Sequence, residues 1–198
     1  MAISGTTVTL DEGTQIDLGG IAKGYASDRV AAIFTEHKVP RGLVRLGGNI
    51  LAWGDRPDGA GWRIGIQDPA DPDNSEALAG VLELKDAFAV TSGSYQRYFE
   101  EDGKTYHHII DPATGYPADS GLTSVTVVAD RNTGSGTLCD ALSTALFVMG
   151  EEQALEYWRS GAYDFQMVLV TEDGRVVATD GLKDCFEPLG EYAYETVS

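Results

Sequence analysis

The stretch Phe165-Gln-Met-Val-Leu-Val-Thr-Glu-Asp-Gly-Arg-Val-Val-Ala-Thr179 decides the fold class. Two apolar, β-branched runs, Phe165–Val170 and Arg175–Thr179, flank Glu172-Asp173-Gly174. Acid-acid-glycine between such runs is hairpin chemistry, and a hairpin joins its strands antiparallel. The pattern recurs upstream, where Tyr95–Phe99 and Lys104–Ile110 flank Glu101-Asp102-Gly103. Leu122–Val128 alternates as a strand, and Trp62–Gln67 and Val81–Val90 read as two more, parted by a Pro/Asp/Asn loop from Asp68 to Ser75. Gly42–Trp53 is a strand interrupted by Gly47-Gly48-Asn49. Thr6–Leu10 and Gln15–Leu18 are short β-like runs around Asp11-Glu12-Gly13.

Three segments carry a helical period instead. From Ile21 to about Glu36, the residues Ile21, Tyr25, Ala26, Val30, Ile33 and Phe34 form one apolar stripe. Leu138–Met149 is a second helix, with Leu138, Ala141, Leu142, Ala145 and Met149 as its stripe and Asp140 and Thr144 beside it; Glu151–Arg159 is a third. Strands outnumber helices and hairpins join many of them. The prediction is an α+β fold, a largely antiparallel sheet with packed helices, in one domain over residues 1–198.

Composition narrows the function. The chain has 31 Asp+Glu against 14 Lys+Arg, a formal net charge of −17. A nucleic-acid binder needs a basic footprint, which this balance does not give. Any anionic ligand must be met locally, by a helix N-terminus, a metal or a few placed cations. Two cysteines, Cys139 and Cys185, are too few for a disulfide scaffold and read as ordinary thiols.

Four segments hold residue types suited to chemistry. Asp17-Leu-Gly-Gly-Ile-Ala-Lys-Gly-Tyr25 runs through Gly19 and Gly20 into a helix bearing Lys23. Glycines let backbone approach a ligand, and the free N–H groups of a first helical turn attract phosphate. Taken alone the segment is equally a tight turn with a solvated lysine. Thr91-Ser92-Gly93 ends an apolar strand with small hydroxyls and suits an anion or a carbonyl-rich ring, or a plain turn. In His107-His108-Ile109-Ile110-Asp111-Pro112, strand alternation points the two histidines to opposite faces, so at most one enters a given site. Asp140 and Thr144, at i and i+4, stack on one side of their helix. A carboxylate and a hydroxyl so placed can hold Mg²⁺, which prefers oxygen and shares phosphate oxygens, or the carboxylate can simply stabilise the helix start.

Together the blocks IDLGGIAKGYASD (Ile16–Asp28), LVRLGGNI (Leu43–Ile50), AVTSGSYQRYF (Ala89–Phe99), YHHIIDPATGYP (Tyr106–Pro117) and CDALSTALFVMG (Cys139–Gly150) resemble, in order, the ApbE family of FAD:protein FMN transferases. The resemblance implies an ApbE-type, T-fold-like architecture. It also implies a Mg²⁺-dependent reaction in which a Thr or Ser hydroxyl of an acceptor flavoprotein takes FMN from FAD, releasing AMP. FAD hydrolysis to FMN and AMP, or FAD binding without catalysis, are the alternatives. By the same resemblance Asp140, Thr144 and the Gly20 carbonyl are the metal ligands. Gly19, Gly20, Lys23, Thr91, Ser92, Gly93, His108 and Ile109 bind FAD, and His108, Asp111 and Lys23 serve catalysis. Family members work outside the cytoplasm, often as membrane-associated lipoproteins, and carry an N-terminal segment supplying part of the flavin pocket. This chain is expected to lack that segment.

Overall fold

A computed structural model describes the backbone of residues 1–198 and every side chain but that of Lys104. In chain order the strands and helices are β1 (Ala2–Ser4), β2 (Thr7–Thr9), α1 (Ala22–Glu36), β3 (Gly42–Leu46), β4 (Asn49–Trp53), β5 (Trp62–Gln67), β6 (Leu78–Leu84), β7 (Ala87–Gly93), β8 (Tyr98–Glu101), β9 (Lys104–His107), β10 (Leu122–Asp130), α2 (Gly136–Arg159), β11 (Gln166–Thr171), β12 (Arg175–Thr179), β13 (Phe186–Pro188) and β14 (Ala193–Val197). The main sheet has seven strands in the order β14-β12-β11-β10-β7-β4-β3. All its pairings are antiparallel except β12 with β14. A second sheet, β13-β6-β5, is antiparallel throughout. The α+β, largely antiparallel prediction holds.

The strand period sorts the core into two layers. Along β10, Val125, Val127 and Ala129 face the helices with Cys139, Leu146 and Phe147, while Val128 faces the small sheet with Leu82 and Phe186. The seven-stranded sheet is therefore sandwiched, helices on one side and the second sheet on the other. That explains why β11 reads as a nearly unbroken apolar run, and why β10, which alternates, is buried on both faces down to Ser124 and Thr126. Each fully buried Val or Leu contributes about 1.5–3 kcal/mol.

Several expectations need correction. Gln15–Leu18 forms no strand. Val81–Val90 is not one strand but the end of β6 and the start of β7, turned at Lys85-Asp86. Asp86 takes φ +47° without being glycine, and its Oδ1 accepts from the Gly54 N–H at 3.0 Å and from Arg131 Nε at 3.1 Å. Of the expected α1 stripe Phe34 packs on the core and on Trp53, but the rest is not the packed face: Tyr25 is 59% exposed and Ile33 49%, while Gly24 and Ser27 are buried. Small residues face α2 because the helices touch backbone to backbone. A Cβ on Gly24 would lie 2.2 Å from the Gly136 carbonyl oxygen. The second and third helices abut at Gly150, whose φ of +79° breaks the helix within α2.

Candidate active site

The site grows from the crossing of the two helix starts. Ile21, the N-cap of α1, offers no side-chain cap, and the first turn carries no acid. The Gly24 N–H, an orphan donor of that turn, instead donates to Asp140 Oδ2 at 2.8 Å, across 116 positions of chain. Asp140 is thus not beside the packed face of α2 but on it, 3% exposed. Nor does it cap its own helix. That task falls to Ser135, which accepts from the Leu138 N–H, and to Asp28 of α1. The Asp28 carboxylate accepts from the Gly136 N–H at 2.6 Å, the Thr137 N–H at 3.0 Å and the Thr137 hydroxyl.

Around Asp140 lie oxygen atoms. Asn49 Nδ2 donates to its Oδ1 at 3.4 Å. One turn on, the half-buried Thr144 donates its hydroxyl to the Asp140 carbonyl at 3.3 Å. Ser92 Oγ sits 3.2 Å from Thr144 Oγ1 and 2.8 Å from Ser143 Oγ. Gly20 lies against Thr144, since a Cβ there would come within 3.7 Å of the Thr144 hydroxyl oxygen. Gly20, Ser92, Asp140 and Thr144 therefore meet. Among the described residues no three His, Cys, Asp or Glu side chains gather as a metal cage. The donor set is one carboxylate, hydroxyls and backbone, which fits a hard cation that shares its shell with a ligand's phosphate and fits zinc poorly.

A cation, Lys23 on the first turn of α1, stands next to this cluster. The Lys23 side chain passes Gly47, where a Cβ would lie 3.9 Å from its Cδ. Arg45 Nε reaches the Gly47 carbonyl at 3.5 Å. The Arg97 carbonyl holds both the N–H of His108, at 3.1 Å, and its Nδ1, at 3.3 Å. Lys23, Arg45 and Arg97 make no ion pair among the described residues. In a chain of net charge −17, Lys23 and Arg97 both place positive charge within reach of His108.

The two histidines divide as alternation requires. His107 turns inward: Nε2 bonds the Ala118 carbonyl at 3.0 Å, Nδ1 accepts from the Ile109 N–H at 3.3 Å, and the ring meets Phe147 edge-on. His108 stays exposed. Desolvation lowers its pKa below the usual imidazole value; the hydrogen bond to the Arg97 carbonyl opposes this, and the charges of Arg97 and Lys23 add to the lowering. With Nδ1–H on the Arg97 carbonyl, Nε2 is left as the free acceptor.

Some expected residues sit elsewhere. Ile109 is a core residue, 3% exposed, whose N–H is held by His107 and whose carbonyl accepts from Ala118, so its side chain packs in the core and its backbone groups are already engaged. Asp111 organises its own loop, accepting from the Ala113 N–H at 2.8 Å through Oδ1 and from the Gly115 N–H through its carbonyl. Gly19 is exposed and donates to the Asp17 carboxylate. Thr91 and Ser92, adjacent on β7, face opposite sides of the sheet. Thr91 bonds Thr126 at 2.8 Å and lines a cleft of about 790 Å³ between the two sheets, with Arg45, Ile50, Ile64 and Tyr95. Gly93 is buried, and a Cβ there would strike the Tyr95 ring at 2.5 Å. Asp28, Arg45, Asn49 and Arg97 all lie within the quoted blocks, but only the fold reveals what they touch.

Fold and site define a class: an α+β protein in which oxygen donors and a lysine meet where two helix starts cross. The chain belongs to the ApbE family, whose model matches residues 2–169. It is 41% identical over 180 residues to the FAD:protein FMN transferase of Treponema pallidum (strain Nichols), covering 87% of this chain and 48% of that one. Its structure is similar to that of the ApbE protein of Thermotoga maritima, with a TM-score of 0.75 and 38% identity over 88% of this chain and 54% of that one. It is also similar to the flavin transferase ApbE of Vibrio cholerae, with a TM-score of 0.69 and 35% identity over 86% of this chain and 52% of that one. The chain spans about half the length of the curated relatives it matches.

Proposed function

We propose that this chain carries the phosphate- and cation-binding part of an FAD:protein FMN transferase. The observation that supports it is the meeting of Asp140, Thr144 and Ser92 beside the start of α1, whose first turn bears Lys23. Phosphoryl transfer demands little covalent help from a protein beyond positioning and charge neutralisation. The diphosphate of FAD brings two negative charges, and Lys23 places a positive charge on the first turn of α1.

In this reading a Thr or Ser hydroxyl of an acceptor flavoprotein attacks the FMN phosphorus. The new P–O bond forms as the anhydride P–O bond to AMP breaks, and AMP leaves with the bridging oxygen. The hydroxyl proton passes to His108 Nε2, the nitrogen left free by the Arg97 carbonyl. Lys23 and the first turn of α1 orient the diphosphate. Asp140, Thr144 and the Gly20 carbonyl would hold Mg²⁺, whose charge neutralises the diphosphate oxygens when bound. Location outside the cytoplasm, with a lipid anchor, is proposed on the family resemblance alone.

Incubation with FAD, Mg²⁺ and an acceptor domain tests this. The expected result is a fluorescent acceptor band on a denaturing gel, with one AMP per flavin attached. AMP release without a band would make water the acceptor and the protein an FAD pyrophosphatase. Binding of FAD with neither product would leave a non-catalytic module.

A further inference from the structure

We infer that Asn49 is a positioning residue for cation binding at Asp140, its carbonyl oxygen being reserved for a donor that arrives when the site is loaded. Asn49 opens β4 directly after the Gly47-Gly48 turn and is 1% exposed. Its Nδ2 donates to Asp140 Oδ1. Its Oδ1 is buried and has no hydrogen-bond partner among the described residues. The amide cannot be reversed to cure this, because a carboxylate only accepts and Oδ1 would then oppose Oδ1. Buried polar groups in folded proteins are nearly always paired, so an orphan acceptor beside a buried carboxylate marks a partner still to come.

The geometry gives the amide a further task. Gly24 fixes one Asp140 oxygen at 2.8 Å and Asn49 restrains the other at 3.4 Å, so the carboxylate plane is set before any cation arrives. Partners of this kind orient a ligating oxygen without touching the metal, and losing one typically costs 10- to 100-fold in metal affinity. Position supports the role. Asn49 joins the Gly47-Gly48 turn, where Lys23 and Arg45 converge, to the helix that bears Asp140 and Thr144. The inference rests on reading Asp140 as a cation ligand, and its test separates the two.

Mn²⁺ is titrated into the full chain by calorimetry, and melting curves are recorded with and without Mn²⁺. Asn49→Leu, which fills the space without an amide, is expected to bind Mn²⁺ about tenfold or more weakly. Asn49→Asp keeps the shape but sets a second carboxylate against Asp140. It should melt earlier without metal and gain more from Mn²⁺ than the wild type does, since the cation relieves the repulsion. A purely structural Asn49 predicts lowered melting in both variants with wild-type Mn²⁺ affinity in Asn49→Leu and a wild-type Mn²⁺-induced shift in Asn49→Asp; either of the last two results overturns the inference. Should Asn49→Leu fail to fold, the Asn49→Asp shift alone decides. Unchanged Mn²⁺ affinity in Asp140→Asn, or no Mn²⁺ binding by the wild type, would instead bring down the reading of Asp140, and this inference with it.

Discussion

Asp28 and Asp140 are reciprocal caps: Asp28, on α1, holds the first N–H groups of α2, and Asp140, on α2, holds the Gly24 N–H of α1. Each helix start is completed by the other's carboxylate. The proposed ligand site is built on that joint. Asp28→Asn keeps one acceptor oxygen but loses the bidentate grip on Gly136 and Thr137. A lost cap costs about 1–2 kcal/mol, or a melting temperature lower by roughly 2–8 °C in a chain of this size. Because α2 carries Asp140 and Thr144, Mn²⁺ affinity should fall as well. Melting and affinity both unchanged would show that the joint is ornamental.

Glycines at the joint should behave unequally. A Cβ on Gly24 would lie 2.2 Å from backbone oxygen and 2.7 Å from the Asp140 Cβ. Neither can yield, so the helices must part. Overpacking of this kind costs about 1–3 kcal/mol, more than the ~0.5–1 kcal/mol that alanine returns through helix propensity. Gly20 meets only the Thr144 hydroxyl at 3.7 Å, an ordinary contact. Gly24→Ala should therefore lower the urea midpoint clearly and Gly20→Ala hardly at all. Equal midpoints would contradict the helix contact.

The histidines should separate by readout. His107 has both ring nitrogens bonded and packs on Phe147. His107→Ala should cost stability, about 1–3 kcal/mol for the donor and acceptor left unpaired. His108→Ala should leave the urea midpoint nearly unchanged and slow FMN transfer about 100-fold or more. The reverse assignment, or equal losses of activity at equal folding, would mean the wrong face was chosen.

A pH profile tests His108 further. The base works in its neutral form, so activity is present above its pKa and lost as pH falls through it. Desolvation, with the positive charges of Arg97 and Lys23, sets that pKa below the ordinary imidazole value. The acid limb of kcat/KM should accordingly lie below about pH 6.5. Lys23→Ala removes one of those charges and should move the limb upward, whatever it does to the rate. A limb at or above 6.5, or one indifferent to Lys23, would argue against His108 as the base.

Much of this was readable in one dimension, because hairpins and amphipathic periods are local. Glu172-Asp173-Gly174 and Glu101-Asp102-Gly103 do turn their chains, and Leu138–Met149 is helical. Strand alternation alone sent His107 and His108 to opposite faces. What failed depended on contacts distant in sequence. The β6–β7 break was hidden because both strands are buried and Asp86 does the work expected of a glycine. The pairing of β14 beside β12 gives no local signal, as Ala193–Val197 is mostly exposed. The α1 stripe misled because glycine and serine, not bulk, let the helices approach. Asp140 and Thr144 were singled out by spacing, yet nothing local shows that Asp140 reaches Gly24, or that Asn49 reaches Asp140.

The most direct test is AMP release from FAD as a function of Mg²⁺ concentration, in the wild type and in Asp140→Asn. Asparagine keeps an acceptor for the Gly24 N–H, so the joint survives while the carboxylate charge goes. AMP release reads the phosphorus–oxygen cleavage whether a protein hydroxyl or water is the acceptor. The wild type should show saturable Mg²⁺ dependence. Asp140→Asn, at matched folded fraction, should lose about 100-fold or more of the rate, the ~3 kcal/mol expected when a charge that stabilises the transition state is removed. Equal rates in the two proteins across the Mg²⁺ range would contradict the account.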